Sequence, residues 1–286
     1  TAAGSLSGQA PTPVLITLFF LFVFGFAKAA IMPLHSWLPA AMVAPTPVSA
    51  LLHAVAVVKV GVFSIVRVST GIFGLDLLQT LELGPVLAVI ASVTILLGSL
   101  IALSQDELKR RLAFSTISQL SYIVLGIALL SPKGMLGGII HIAMHAFGKI
   151  TLFFCAGAIM VATGKKYISQ MAGLGRTMPV TIFAFFLGAL SVIGLPPTGG
   201  FYSKWNLLLG AVESDQLAFM VVLLLSSFLN AVYFLPIVFK AYFAPLDPDQ
   251  SEAGIQEAPL CCVVPLVVTA TISVFLFFYP DVFMHL

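Results

Sequence analysis

Long apolar runs alternate with short polar stretches along this chain, at about 13–32, 46–68, 84–104, 111–131, 134–162, 179–210, 215–243 and 260–280. A hydrocarbon core of about 30 Å takes about 20 apolar residues per helix, so the pattern predicts eight transmembrane spans. They are predicted to be helices because an open strand edge in lipid would leave its amides unpaired. No alternation over about ten residues points to a barrel. The expected fold class is therefore an all-α polytopic membrane protein of about eight transmembrane helices.

Two of the runs are interrupted. In the first, Lys28 is followed by Ile31-Met32-Pro33 and an amphipathic stretch, Leu34–Ala40, that contains His35, Trp37 and Pro39. In the sixth, the run breaks at Gly194-Leu195-Pro196-Pro197-Thr198-Gly199-Gly200, and Lys204 follows in the next half-helix. Proline removes a backbone donor and clashes with the preceding turn, while glycine relaxes the chain. Such breaks persist at membrane depth where the freed groups are buried in protein or line a hydrated cavity. A pair of interrupted helices in corresponding positions points to an ion site in a repeat-built transporter, though ordinary kinks would also produce them.

Polar residues inside the runs change the picture most. Lys28, Lys59, Lys149 and Lys204 lie in apolar surroundings, and all 11 Asp and Glu fall between the runs or at their edges. A charge at bilayer depth costs several kcal/mol, so such lysines mark a functional site by default. His141, His145 and Lys149 stand at i, i+4 and i+8, which stacks them on one helix face. Imidazole titrates near neutral pH and is a natural relay partner for a buried amine. Hydrogen bonding to neighbouring helices is the structural alternative. A histidine pair four apart can also bind zinc, but there is no HExxH motif and no carboxylate or cysteine placed as a third ligand. His53 and Lys59 share the second run six residues apart, roughly 600° of rotation at about 100° per residue, and are expected on different faces. Ser115, Ser118, Gln119 and Tyr122 form a stripe on the fourth span that could hold water or cross-link helices.

Composition and charge narrow the class. With 60% hydrophobic residues, 8% charged and a mean hydropathy of +1.11, the chain is far from a soluble domain. Consecutive loops must alternate sides. The loops at 33–45, 105–110, 163–178 and 244–259, with their flanks, carry Lys109, Arg110, Arg111, Lys165, Lys166, Arg176 and Lys240, against Arg67 and Lys133 opposite. This asymmetry assigns the first set to the cytoplasm and both ends of the sequence to the outside. Gln105–Arg111 reads as a solvated cytoplasmic turn opening a helix capped by Ser104. The net charge of +2 gives no reason to expect nucleic acid. Cys155, Cys261 and Cys262 have no metal-type spacing and read as small apolar filler. Residues 1–12 lack the basic region of a signal peptide.

Several runs resemble a known family. They are Lys28-Ala-Ala-Ile-Met-Pro-Leu-His-Ser-Trp-Leu-Pro-Ala, Ala44-Pro-Thr-Pro-Val-Ser-Ala-Leu-Leu-His53 and Val58-Lys59-Val-Gly-Val-Phe, then Asp106-Glu-Leu-Lys-Arg-Arg-Leu-Ala-Phe-Ser-Thr-Ile-Ser-Gln, His145-Ala-Phe-Gly-Lys149 and Gly194-Leu-Pro-Pro-Thr-Gly-Gly-Phe-Tyr-Ser-Lys204. Over about 13–243 the chain is similar to the antiporter-like subunits, found in Mrp-type multisubunit cation/proton antiporters, in the proton-pumping membrane arm of NADH:quinone oxidoreductase and in related membrane-bound hydrogenases. The resemblance implies a fourteen-helix fold of two inverted five-helix repeats, of which this chain corresponds to the seventh helix onward. The implied divisions are an outward-facing segment 1–12, the end of the first repeat at 13–83, the second repeat at 84–243, and a cytoplasmic loop with the final helix at 244–286.

The resemblance also implies roles. Lys28 matches the central lysine of the first half-channel, Lys59 the connecting lysine, and His141, His145 and Lys149 the central relay of the second half. Lys204 matches the residue that exchanges protons with the far side. His53, Ser118 and Tyr122 would support this path, and Pro33, Pro196, Pro197, Gly199 and Gly200 would break the helices. The family's glutamate that pairs with the lysine matched by Lys28 has no counterpart here, so the sequence reads as a C-terminal portion of a larger protein. A lysine that passes a proton near neutral pH must have its affinity lowered by about 4–5 kcal/mol, which burial beside like charge can supply.

The expected function is thus proton conduction in a multisubunit monovalent cation (Na+)/proton antiporter of the cell membrane, with a proton-pumping subunit of NADH:quinone oxidoreductase or a membrane hydrogenase as the alternative. No cofactor, metal or catalytic residue is expected in this chain. Its expected partners are other membrane subunits, lipid, protons and possible Na+. The competing classes are a solute symporter and a non-conducting scaffold.

Overall fold

A computed structural model of the chain describes residues 4–245 and 254–280. Residues 1–3 of the outward-facing segment, the middle of the loop at 244–259 and the residues after 280 lie outside the described residues.

The chain order is α1 Thr12–Gly25, α2 Trp37–Ala40, α3 Thr46–Ala54, α4 Val57–Arg67, α5 Leu75–Thr80, α6 Leu83–Ser104, α7 Leu108–Ala128, α8 Pro132–Thr163, α9 Leu174–Thr177, α10 Pro179–Ile193, α11 Gly200–Glu213, α12 Leu217–Phe243 and α13 Leu260–Phe278. Among the described residues there is no strand beyond a bridge pairing Glu107 with Tyr167. Six helical stretches are long and apolar enough to cross a membrane: Thr46–Phe73, Leu83–Ser104, Leu108–Ala128, Pro132–Thr163, Leu217–Phe243 and Leu260–Phe278. Of the eight expected spans, the other two are the interrupted ones, and there the shorter apolar helices Thr12–Gly25 and Pro179–Ile193 end at the breaks.

The breaks fall where proline and glycine place them. α1 ends at Gly25, a 3-10 turn covers Ala27–Ala29, and Ala30 takes a left-handed backbone before Pro33. α10 ends at Ile193, Gly194 caps it with φ +89°, and α11 starts at Gly200. A third break was not expected. α3 stops at Ala54 and α4 starts at Val57, with Val55 and Ala56 outside helical geometry. The straight-helix premise that set His53 and Lys59 on different faces therefore fails, and both side chains are buried.

α7 is the centre of the bundle: 89% of its apolar window is buried, against 22% for α13 at the periphery. That position explains why a helix carrying Ser115, Ser118, Gln119 and Tyr122 sits stably in a membrane protein, since those residues face other helices and not lipid. α8 packs against α3, α7, α10, α11 and α13, and is the spine on which the second half assembles. Small residues allow the close approach: a side chain at Gly210 would overlap the backbone of Gly134.

The loops with basic residues gather at one end. Leu108 N–H donates to Lys166 O, Ile168 N–H to Asp106 O, Lys109 Nζ to Ala44 O at 2.7 Å, and Lys240 Nζ to Ser169 O at 2.7 Å. Ser104 is not the cap of α7. The N-cap position is Glu107, without a side-chain cap, and Ser104 Oγ donates back to Ile101 O. The turn is instead held across the loop, because Asp106 accepts from both the backbone N–H and the hydroxyl of Ser169.

Candidate functional site

The continuous helix α8 carries His141, His145 and Lys149 on its inward face, and each is buried. Lys59 reaches this face from α4, just past the third break. Its Nζ lies 2.8 Å from His145 Nδ1, a bond in which the ammonium donates and the imidazole accepts. The other ring nitrogen, His145 Nε2, is buried without a hydrogen-bond partner. An unpaired buried donor costs about 1–3 kcal/mol, so this atom marks a place of incomplete satisfaction in the core.

One turn away, the His141 ring lies 5.7 Å from that of His145. His141 Nδ1 is 2.8 Å from Ser203 Oγ, and Nε2 is 3.1 Å from Gln119 Oε1. Ser203 Oγ also donates to Gly200 O at 3.0 Å, which leaves its oxygen to accept from His141. In this arrangement both ring nitrogens donate, as in an imidazolium. Gln119 Nε2 is buried and unpartnered. Turning that amide over would present N–H to Nε2 and suit the neutral ring, so the same surroundings can hold either protonation state.

An aromatic ring separates His141 from the next lysine. Tyr122 stacks on His141 at 5.6 Å between centroids, and Lys204 Nζ sits 4.6 Å from the centre of the same ring. A cation over an aromatic face is attracted by the ring quadrupole. Lys204 Nζ donates to Ile193 O at 3.0 Å and to Ser227 Oγ at 3.1 Å. Ile193 is the last residue of α10, so its carbonyl is one of those that a helix end leaves free and carries the negative end of the helix dipole. The Pro-Gly break thus supplies the ligand for the amine. The same geometry requires glycine at 194, where a Cβ would lie 2.5 Å from Lys204 Cδ.

Lys149 is held differently. Its Nζ donates to Leu112 O on α7 at 3.0 Å, a carbonyl that also accepts from Thr116 Oγ1, and it lies 5.5 Å from the centre of the Phe234 ring. His53 packs its ring 4.9 Å from that of Phe153, and neither of its nitrogens has a partner. Ser118 bonds Ser99 and Ser226 at 2.9 and 3.4 Å, which ties α7 to α6 and α12, and among the described residues it has no hydrogen bond to the lysines or histidines. Asn230, Tyr233 and Ser115 form a neighbouring buried cluster in which the Tyr233 hydroxyl donates to Asn230 Oδ1 and pairs with the Ser115 hydroxyl, which can donate to it.

Lys28 departs from the expectation. It is exposed, whereas Lys59, Lys149 and Lys204 are each buried. At its break the Ala27 carbonyl, which closes the 3-10 turn by accepting from Ala30 N–H, also accepts from Trp37 Nε1 at 3.0 Å and not from a lysine. The expected set of four buried amines is therefore three within this chain. Pro33, Pro196, Pro197, Gly199 and Gly200 all lie in or next to the breaks. Among the described residues, no group of three His, Cys, Asp or Glu could hold a metal ion.

The residues not singled out from sequence are Ser203, Ser227 and Thr116. Ser203 directly precedes Lys204, and its pairing with His141 bridges helices far apart in sequence, for which no local signal exists.

Comparison with known proteins now places the chain. Residues 6–230 match the model of the family described as NADH:quinone oxidoreductase/Mrp antiporter, transmembrane. The chain is 39% identical over 250 residues to NADH-quinone oxidoreductase subunit N of Desulforudis audaxviator (strain MP104C), covering 85% of this chain and 48% of that protein. It is 33% identical over 278 residues to a Na(+)/H(+) antiporter subunit of Bacillus subtilis (strain 168), covering 90% of this chain and 34% of the relative. The chain thus spans half or less of the length of these relatives. In the solved structure of the Mrp complex from Dietzia sp. DQ12-45-1b, one chain superposes with a TM-score of 0.86 at 28% identity, covering 99% of this chain and 59% of that one. With its broken helices and its lysines buried without carboxylates, the chain belongs to the NADH:quinone oxidoreductase/Mrp antiporter membrane family.

Proposed function

We propose that this chain is part of a proton-conducting membrane subunit of a multisubunit monovalent cation (Na+)/proton antiporter. The observation that carries the reading is the series of neighbouring groups from Lys59 through His145, His141 and Tyr122 to Lys204, joined by one hydrogen bond and then by ring contacts. It opens with the 2.8 Å Lys59–His145 bond and ends on the carbonyl of a broken helix. Lys149 lies one turn beyond His145 on α8 and serves as a further carrier. His53 stands behind it as a buried imidazole with free nitrogens.

The lysines and histidines of the series accept and release protons without a carboxylate, because carbonyls, hydroxyls and ring faces stabilise the charged amines, and Tyr122 contributes its ring alone. The one-turn spacing along α8 keeps successive groups about one hydrogen-bonded water apart, the separation that a proton can cross by relay through intervening water. The breaks at 30–36 and 194–199 free backbone groups at membrane depth, as ion sites in repeat-built transporters do. The basic end faces the cytoplasm under the positive-inside rule, and the partners are the other membrane subunits of such a complex.

The redox-driven alternative rests on the relative named as a subunit of NADH-quinone oxidoreductase. The same buried series would serve a pump driven by subunits that carry the redox chemistry. Purification of the intact complex through this chain distinguishes the two: flavin and iron–sulfur subunits mark the redox complex, and small membrane subunits without them mark the antiporter.

Conduction itself is tested in proteoliposomes holding the assembled complex. Lys149→Ala and Lys204→Ala, made separately, are expected to abolish proton flux while the complex remains assembled. Loss of assembly with flux per complex unchanged would instead identify a scaffold.

A further inference from the structure

A second polar seam lies outside the lysine–histidine series, where α6, α7 and α12 meet. Arg111, Ser115, Ser118 and Tyr122 stand at i, i+4, i+7 and i+11 of α7, on one face. Ser226, Asn230 and Tyr233 meet them from α12 and Ser99 from α6, and all of these side chains except Arg111 are buried. The hydroxyls form two clusters. Nearer the basic end, Ser115 Oγ lies 2.9 Å from the Tyr233 hydroxyl, which also bonds Asn230 Oδ1. One turn on, Ser99 Oγ lies 2.9 Å from Ser118 Oγ and 3.0 Å from Ser226 Oγ. Asn230 is one turn from Ser226 on α12, and its Nδ2 is buried with a donor to spare. The second cluster reaches Lys204: the Tyr122 hydroxyl interacts with Ser226 and Ser227, and Lys204 Nζ donates to Ser227 Oγ at 3.1 Å. Each hydroxyl both donates and accepts, so a line of them can hand a proton on.

A cation stands across the other end. Arg111 Nε, Nη1 and Nη2 donate to Gln105 O, Tyr233 O and Leu103 O at 2.9, 2.9 and 3.2 Å. The half-buried guanidinium therefore bridges the same three helices that supply the hydroxyls, one turn beyond Ser115. These bonds all go to carbonyls, and Asp106, the acid whose field reaches it, is bonded to Ser169. A guanidinium stays charged and has no lone pair to accept a proton, so it cannot join a relay.

We infer that Arg111 is a fixed-charge plug: it closes a hydroxyl branch that leads from the basic end to Lys204, and so keeps protons from bypassing the α8 series. A fixed arginine in a narrow polar passage raises an electrostatic barrier to protons and cations in this way. A clamp on three carbonyls needs only N–H donors, and a glutamine supplies some of these. What the glutamine lacks is the charge, and that difference separates a plug from a helix tie.

The experiment uses the assembled complex in proteoliposomes with no sodium gradient, the voltage clamped by potassium and valinomycin. After a pH jump, a trapped dye reads proton leak per complex, and trapped sucrose reports whether the bundle itself has loosened. Arg111→Gln is expected to leak protons about a hundredfold faster than the parent and to retain sucrose. That factor is the Coulomb barrier of a unit charge about 6 Å away at an effective dielectric of about 20. Arg111→Gln/Ser226→Ala is expected to fall back to the parent's leak, because the branch is cut beyond the plug. Arg111→Lys keeps the charge and is expected to stay tight. Arg111→His, neutral above about pH 6.5 and still a donor, serves if Arg111→Gln fails to assemble. The inference is overturned if the assembled Arg111→Gln and Arg111→His complexes are as tight as the parent, or if Arg111→Lys leaks as they do. It is also overturned if the leak survives Ser226→Ala, or if sucrose escapes with the protons. The inference rests on conduction through Lys204. Coupled flux at the parent's level in Lys204→Ala overturns that reading, whereas flux that needs Lys204 beside a tight Arg111→Gln complex overturns the plug alone.

Discussion

Gly194→Ala tests whether the broken helix and the lysine beside it form one unit. At φ +89° an alanine enters left-handed territory at a cost of about 1–2 kcal/mol. Its Cβ would also stand 2.5 Å from Lys204 Cδ, and overpacking of this kind costs about 1–3 kcal/mol. The two terms together predict about 2–5 kcal/mol of destabilisation, of which only the second depends on Lys204. A double-mutant cycle separates them. Equilibrium unfolding in mixed micelles is measured for the parent chain, Gly194→Ala, Lys204→Ala and the double variant. Removing Cδ should recover about 1–3 kcal/mol in the Gly194→Ala background, leaving the backbone term behind. Additivity within about 0.5 kcal/mol would show that the lysine stem does not lie against the break, and the account of Lys204 gripping the Ile193 carbonyl would fall with it.

Other perturbations bear on separate contacts. Lys59→Met leaves both His145 nitrogens without a partner and should destabilise the fold by about 1–3 kcal/mol while abolishing proton flux; unchanged flux in proteoliposomes would remove Lys59 from the path. Tyr122→Phe keeps the ring between Lys204 and His141 and loses the hydroxyl, which bonds Leu223 O and interacts with Ser226 and Ser227, at about 0.5–1.5 kcal/mol per bond lost. Its flux should stay close to the parent, whereas Tyr122→Leu should lose it, and equal flux in the two variants would refute a role for the ring. Gly61→Ala would drive a Cβ into the Ala29 backbone N, a contact that no side-chain rotation relieves, so a large fall in folded yield is expected in detergent extraction. Lys28→Ala, at an exposed position, should leave the unfolding midpoint of the isolated chain unchanged.

What the sequence reveals here depends on whether the cause is local. Proline and glycine at 33, 196, 197, 199 and 200 announce two breaks because they act on their own backbone. The shared face of His141, His145 and Lys149 follows from helix periodicity alone. The break at Val55–Ala56 carries no such residue, as Leu51–Val58 contains neither proline nor glycine, and tertiary packing shapes it. The exposure of Lys28 is equally hidden, because faces toward lipid and toward protein are both apolar in a membrane chain and the pattern does not separate them. Ser104 precedes a turn that looks like a helix start, yet the pairing of Asp106 with 168–169 decides where α7 begins. The ligands of the lysines were out of reach for a related reason: Leu112 O and Ile193 O are backbone atoms, and any residue type presents them.

Holding Lys204 by the end carbonyl of α10 has a consequence for traffic through the seam. A carboxylate beside an amine is a rival base, able to capture the proton and hold it. A peptide oxygen solvates the ammonium but stays unprotonated throughout the physiological range, so the clamp never becomes a parking place. It also lacks a full negative charge with which to neutralise a neighbour, and a second ammonium nearby meets the first almost unscreened. Occupancy should therefore be sparse, with each charged amine discouraging the next until it has discharged, an ordering imposed by repulsion without any moving gate.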